Sequence, residues 1–193
     1  MALTDINVAN ISLDLLKEST ISSFDDDRVA GRWMNRNFNI VRDIVLCLNP
    51  WRFATDRDML SETLPIPIFG YSHKYLRPDG CLRVLPLRDG GLKNGRIIDH
   101  SVEGLYILTN AIAPLKIQFI KRIEDVTLFS PLFIDAFTIN MALRLAPLLT
   151  GKAGLVADLR AAYKDTLTQA MFIDSAEGQA AYTTGYDYDD IRV

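Results

Sequence analysis

The sequence predicts an α+β fold in which N- and C-terminal helices form a bundle around a central antiparallel β insertion. Two segments with helical apolar spacing open the chain and two more close it. Between them, residues 51–123 hold most of the Pro and Gly, with short alternating apolar runs. The 193 residues suffice for one domain, drawn at 1–181, burying roughly 70% of its unfolded surface. An extended tail occupies 182–193.

The first helix is placed at about 4–18. Ile6, Ala9, Leu13 and Leu16 share a face, Thr4 supplies an N-cap and Asp5 favours the first turn. The second, about 26–48, follows the acidic run Asp25-Asp26-Asp27, read as capping, and stops at Pro50. Val29, Trp33, Ile40, Val41, Ile44 and Leu48 mark its apolar side, and Arg28, Arg32, Arg42 and Asp43 its charged side.

In the insertion, Arg83-Val84-Leu85 is one strand candidate. Leu115, Ile117 and Phe119, alternating with Lys116 and Gln118, are another with one wet face. Asp89-Gly90 and Asn94-Gly95 supply hairpin turns, predicting a hairpin from about Leu82 to Ile98 and a further strand from Glu103 to Leu108. Trp51-Arg52-Phe53-Ala54 reads as a core anchor at the helix-to-sheet junction. Ser130-Pro131 starts the third helix, 131–149, apolar around most of its circumference, with Pro147 distorting its last turn. Gly151 then turns the chain into a fourth helix, about 152–174, striped by Leu155, Leu159, Tyr163, Leu167 and Ala170.

A content of 49% hydrophobic and 23% charged residues predicts a folded, soluble protein. The net charge of -3, from 21 basic and 24 acidic residues dispersed along the chain, announces no nucleic-acid or membrane face. No signal peptide opens the sequence and no apolar stretch approaches the roughly 20 residues of a membrane span, so synthesis in a cytoplasm is expected.

No constellation predicts chemistry. His73 and His100 lack metal-ligand spacing, and Cys47 and Cys81 read as two buried thiols rather than a disulfide or a nucleophile. Gly90-Gly91-Leu92-Lys93-Asn94-Gly95 and Gly151-Lys152-Ala153 lack the phosphate-loop pattern. Asp187, Asp189 and Asp190 lack calcium-loop spacing. No cofactor and no enzymatic activity are expected.

Several motifs nonetheless occur in a recognisable order. A long helix leads into Cys47-Leu48-Asn49-Pro50-Trp51-Arg52-Phe53-Ala54. Gly70-Tyr71 follows, then Tyr75-Leu76-Arg77-Pro78-Asp79-Gly80-Cys81-Leu82-Arg83. Phe129-Ser130-Pro131-Leu132-Phe133 then opens a helix ending near Leu148-Leu149-Thr150. In this order the chain resembles the tail tubular protein A family, the head-to-tail adaptors of tailed bacteriophages. The family's middle segment reads Gly-Tyr, Tyr, Leu-Pro, Asp-Cys-Leu-Arg; here Arg77 interrupts Leu-Pro and Gly80 separates Asp79 from Cys81.

The resemblance implies a structural virion protein of the neck, made in the host cytoplasm. It would assemble as a homo-oligomeric ring, a dodecamer matching the portal, between the portal protein and a tail or nozzle protein. Genomic DNA would pass through the lumen without sequence-specific binding, and no membrane is involved. A ring requires two different faces of each subunit to meet, for which the third helix and the β segment are candidates. The aperiodic tail suggests a partner-binding segment docking on the portal through Tyr182, Tyr186, Tyr188, Ile191 and Val193. Another neck or tail-completion ring protein, or a small ligand-binding domain or enzyme using the insertion as a pocket, remain the alternatives.

Overall fold

A computed structural model describes residues 3–91 and 94–177. The fold is α+β, as the sequence predicts. Four helices, α1 (Asp5–Leu15), α2 (Val29–Leu48), α3 (Pro131–Leu149) and α4 (Ala153–Ala176), flank six strands. The strands are β1 (Thr55–Leu60), β2 (His73–Leu76), β3 (Cys81–Val84), β4 (His100–Glu103), β5 (Tyr106–Thr109) and β6 (Leu115–Lys121). The tail residues Tyr182, Tyr186, Tyr188, Ile191 and Val193 lie outside the described residues.

Local chemistry sets the helix ends. Thr4 caps α1 in a reciprocal box, its hydroxyl accepting from the Asn7 amide at 3.2 Å while Asn7 Oδ1 accepts from the Thr4 amide at 3.0 Å. The helix ends earlier than predicted because the chain reverses there. Lys17 takes φ 58, and the Glu18 and Lys17 amides donate back to the carbonyls of Leu13 and Asp14. Ser130 caps α3 through the Phe133 amide, with Pro131 in the first turn. Gly151, at φ 59, turns α3 into α4.

The acidic run does not cap α2. Asp26 instead accepts from the Arg28 amide at 2.9 Å and pairs with the Arg28 guanidinium, so the helix begins at Val29. The buried stripe of α2 is also rotated from the predicted one. Trp33 and Val41 are buried as predicted and are joined by Met34, Phe38, Val45 and Leu46, whereas Val29, Ile40 and Leu48 are exposed. Arg42, assigned to the charged side, is only 4% exposed. Its guanidinium is satisfied by Asp43 and by Asn39 Oδ1 at 3.1 Å, which makes burial tolerable. Asp43 also accepts from Arg122 Nε at 2.8 Å, tying α2 to the chain just beyond β6.

At the centre is α3, in contact with α1, α2 and α4. By length and composition it could cross a membrane, which revises the reading that no stretch is long enough. Here 56% of that apolar stretch is buried, against the other helices and the side chains of Trp51, Phe53 and Phe129, while Leu148 near its end is exposed. Phe133 is the hub of an aromatic cluster, with ring centroids 4.8 Å from Phe129, 5.1 Å from Phe53 and 5.3 Å from Trp51. Trp51 is fully buried and its indole N–H donates to the Val45 carbonyl at 2.9 Å, as a junction anchor should.

The strands form two antiparallel three-stranded sheets, ordered β1-β6-β3 and β2-β5-β4. A second, smaller core contains Leu60, Ile117 and Phe119 from the first sheet and Tyr75 and Ile107 from the second. Two predicted strand arrangements are corrected. The hairpin from Leu82 to Ile98 shrinks to a single bridge between Arg88 and Ile97, because β3 pairs with β6 instead. The strand from Glu103 to Leu108 is broken by Gly104, at φ 58, into the β4–β5 hairpin. Cys47 and Cys81 are half-buried rather than buried.

Candidate assembly surface

The strand register gives the β module a near and a far end. β1 leaves the helical core at Ala54 and runs to Leu60 in the second core, where it pairs with Leu115 at the start of β6. The loops beyond Leu60 and before Leu115 therefore sit at the end away from the bundle. The first loop joins β1 to β2 and contains Leu64-Pro65-Ile66-Pro67-Ile68-Phe69. Pro65 and Pro67 have no amide to donate to a ladder, so this apolar run cannot serve as a central strand.

Its side chains face solvent. Ile68 is 98% exposed, Phe69 86% and Leu64 80%; Ile112, on the loop before β6, is 75% exposed. The loops' bases, by contrast, are fixed by hydrogen bonds. The Thr63 amide donates to the Lys74 carbonyl at 2.7 Å and the Ser72 amide to Asn110 Oδ1 at 2.9 Å. Tyr75 donates its hydroxyl proton to the Ala111 carbonyl at 2.7 Å, and His73 Nδ1 lies 2.9 Å from Glu62 Oε1. An anchored loop presenting adjacent large apolar side chains is a candidate contact surface, since burying each would be worth about 1.5–3 kcal/mol before the costs of association.

The fold also gathers charge that looks dispersed in the sequence. From Arg52 to Arg122 there are eleven Lys and Arg against seven Asp and Glu, a balance of +4; with -3 overall, the flanking segments carry -7. On the face of the first sheet opposite the second core, Arg57 and Gln118 are cross-strand partners and Lys116 lies beside them. With Arg52 and Arg88 they line an open groove of about 580 Å³ that no Asp or Glu lines. Charge dispersed in the sequence is thus brought together locally, which sequence order alone does not show.

Asp174, on the last turns of α4, stands at one edge of this region. It is buried, accepts from the Arg52 amide at 3.1 Å and from Asn49 Nδ2 at 3.3 Å, and so fixes α4 to the start of the insertion. Burial pushes its carboxyl above the usual carboxylate range, opposed by the Arg52 amide and charge.

The residues screened for chemistry do not converge. His73 meets Glu62, and His100 Nδ1 lies 3.0 Å from the Ile98 carbonyl. Cys81 Sγ meets Arg77 Nη2 at 3.6 Å, and burial raises the Cys47 thiol above its ordinary value, the direction of an unreactive thiol. Among the described residues, no group of three or more His, Cys, Asp or Glu is placed to hold a metal ion.

The sequence reading missed Leu64, Ile66, Ile68, Phe69 and Ile112. The Leu-Pro-Ile-Pro-Ile-Phe run was itself the signal, because apolar residues interleaved with proline can neither form a central strand nor continue a helix. No protein-family model and no curated protein matches the chain.

Proposed function

We propose that this chain is a structural subunit of a tailed-phage neck, a head-to-tail adaptor that forms a ring between portal and tail through which DNA passes. The observation that carries the reading is the exposed apolar run Leu64–Phe69, anchored at the far end of the β module. It supplies a preformed contact patch, and the exposed face of α2, where Val29 and Ile40 stand among Arg32 and Arg36, supplies a different, mixed one. Two unlike patches on one subunit meet the requirement of a closed heterologous ring. The ordered motifs from Cys47-Leu48-Asn49-Pro50-Trp51 to Phe129-Ser130-Pro131, by their resemblance to the tail tubular protein A family, support reading that ring as one of the virion neck.

Sedimentation of the purified chain with and without its portal ring tests the proposal. A portal-bound species with one subunit per portal subunit is expected, twelve on a dodecameric portal. A monomer that stays monomeric and ignores the portal would overturn it.

A further inference from the structure

The basic groove needs an occupant, and the chain carries one of matching chemistry. We infer that the groove lined by Arg52, Arg57, Arg88 and Lys116 holds the acidic, tyrosine-bearing segment Tyr186-Asp187-Tyr188-Asp189-Asp190 of the same chain.

Charge is the first argument. Four cations share the groove, no Asp or Glu lines it, and among the described residues none of the four forms a side-chain ion pair within 4.0 Å, although the buried Asp174 carboxylate lies 3.1 Å from the Arg52 amide and feels the Arg52 charge. The nearest acidic side chains on β1 belong elsewhere: Asp56 pairs with Lys121 at 3.0 Å, and Asp56 and Asp58 lie on the opposite face of the strand from Arg57. The segment Tyr186–Asp190 brings three carboxylates and two aromatic rings. Leu85 and Pro86 give the groove apolar wall against which a tyrosine ring can lie while carboxylates meet the guanidinium groups.

Position is the second argument. α4 ends at Ala176, two residues beyond Asp174, whose carboxylate is hydrogen-bonded to the amide of the groove residue Arg52. The chain thus leaves the last helix beside the groove. Tyr186 follows Glu177 by nine residues, a span of up to roughly 30 Å when extended. A short tether gives the segment a high effective concentration at the groove, so modest contacts suffice to hold it.

Zero-length carbodiimide cross-linking of the full chain, read by mass spectrometry, tests this directly. An amide between the Lys116 amine and Asp187, Asp189 or Asp190 is expected. Its yield should fall several-fold between about 0.1 M and 1 M salt, as the Debye length shrinks from about 10 Å to about 3 Å. The triple variant Asp187→Asn, Asp189→Asn, Asp190→Asn, which leaves the described fold untouched, should lose the link to background. A mixture of isotopically light and heavy chains should give links within one chain only.

Three results would overturn the inference: no link from Lys116 to this segment, links formed only between chains, or a link insensitive to salt. Fluorescein-labelled duplex DNA provides the competing arm. Duplex binding abolished by Arg57→Glu with Lys116→Glu, but unchanged by the triple Asn variant, would assign the groove to nucleic acid instead.

Discussion

The Asp174 carboxylate accepts a hydrogen bond from the Arg52 backbone amide at 3.1 Å across 122 positions of sequence. It also accepts from Asn49 Nδ2, so one buried side chain holds the end of α4, the end of α2 and the entry to β1 together. Asp174→Ala leaves the Arg52 amide and the Asn49 side chain without this acceptor. The expected cost is about 1–3 kcal/mol, read as a lower denaturation midpoint at unchanged m-value. A midpoint equal to the parent's would show that the clasp contributes nothing.

The turn after α1 is closed by a residue poorly suited to its conformation. Lys17 sits at φ 58, where a Cβ is unfavourable and glycine is at ease. Lys17→Gly should therefore raise stability by up to about 1 kcal/mol, the relief at φ > 0 outweighing the greater entropy glycine brings to the unfolded chain. Thermal melts of the two proteins measure this, and a lower melting temperature for the variant would contradict it.

At the start of α2 the constraint is reversed. Gly31 lies against the Asp26 backbone, and a Cβ added there would collide with the Asp26 carbonyl oxygen. Gly31→Ala gains helix propensity but must displace that backbone, so a net loss of about 1–3 kcal/mol is expected. A variant as stable as the parent would mean that the Ser23–Arg28 loop moves aside freely.

Asp26 also sets a pH dependence. Hydrogen bonds from the Arg28 side chain and amide hold its carboxyl at about 2, against an ordinary value of 3.8. A folded-state value below the unfolded one stabilises the native protein above the unfolded value, and that contribution is lost as pH falls toward 2. The stability difference between the parent and Asp26→Asn should be constant above about pH 5 and shrink from pH 4 to pH 2. Parallel pH profiles from the two proteins would refute this.

What could be read from the sequence was what is settled locally. Ser130-Pro131 marks the start of α3 because a cap and a proline act within one turn, and the helix runs from Pro131 to Leu149 as predicted. The Leu115, Ile117, Phe119 alternation is likewise intrinsic to β6. The β4–β5 turn was not legible. Glu103-Gly104-Leu105 reads as strand interior until the partners of Tyr106, Leu76 on β2 and Glu103 on β4, are known. The rotated stripe of α2 depends on where Phe38 meets Phe137, a tertiary contact with ring centroids 5.2 Å apart. The groove is less visible still, since Arg57, Arg88 and Lys116 become neighbours only through sheet pairing and the chain's return after β3.

The apolar loop at the far end of the β module carries the proposed ring contact. Ile68→Asp combined with Phe69→Asp alters two exposed side chains and leaves both cores intact, so the monomer's melting temperature should not change. The decisive measurement is the native mass of the portal-bound species formed by parent and variant. A full ring is expected for the parent and at least a tenfold loss of ring for the variant, about 1.4 kcal/mol or more of contact energy. A variant that assembles to the same mass at the same concentration would contradict the proposed contact.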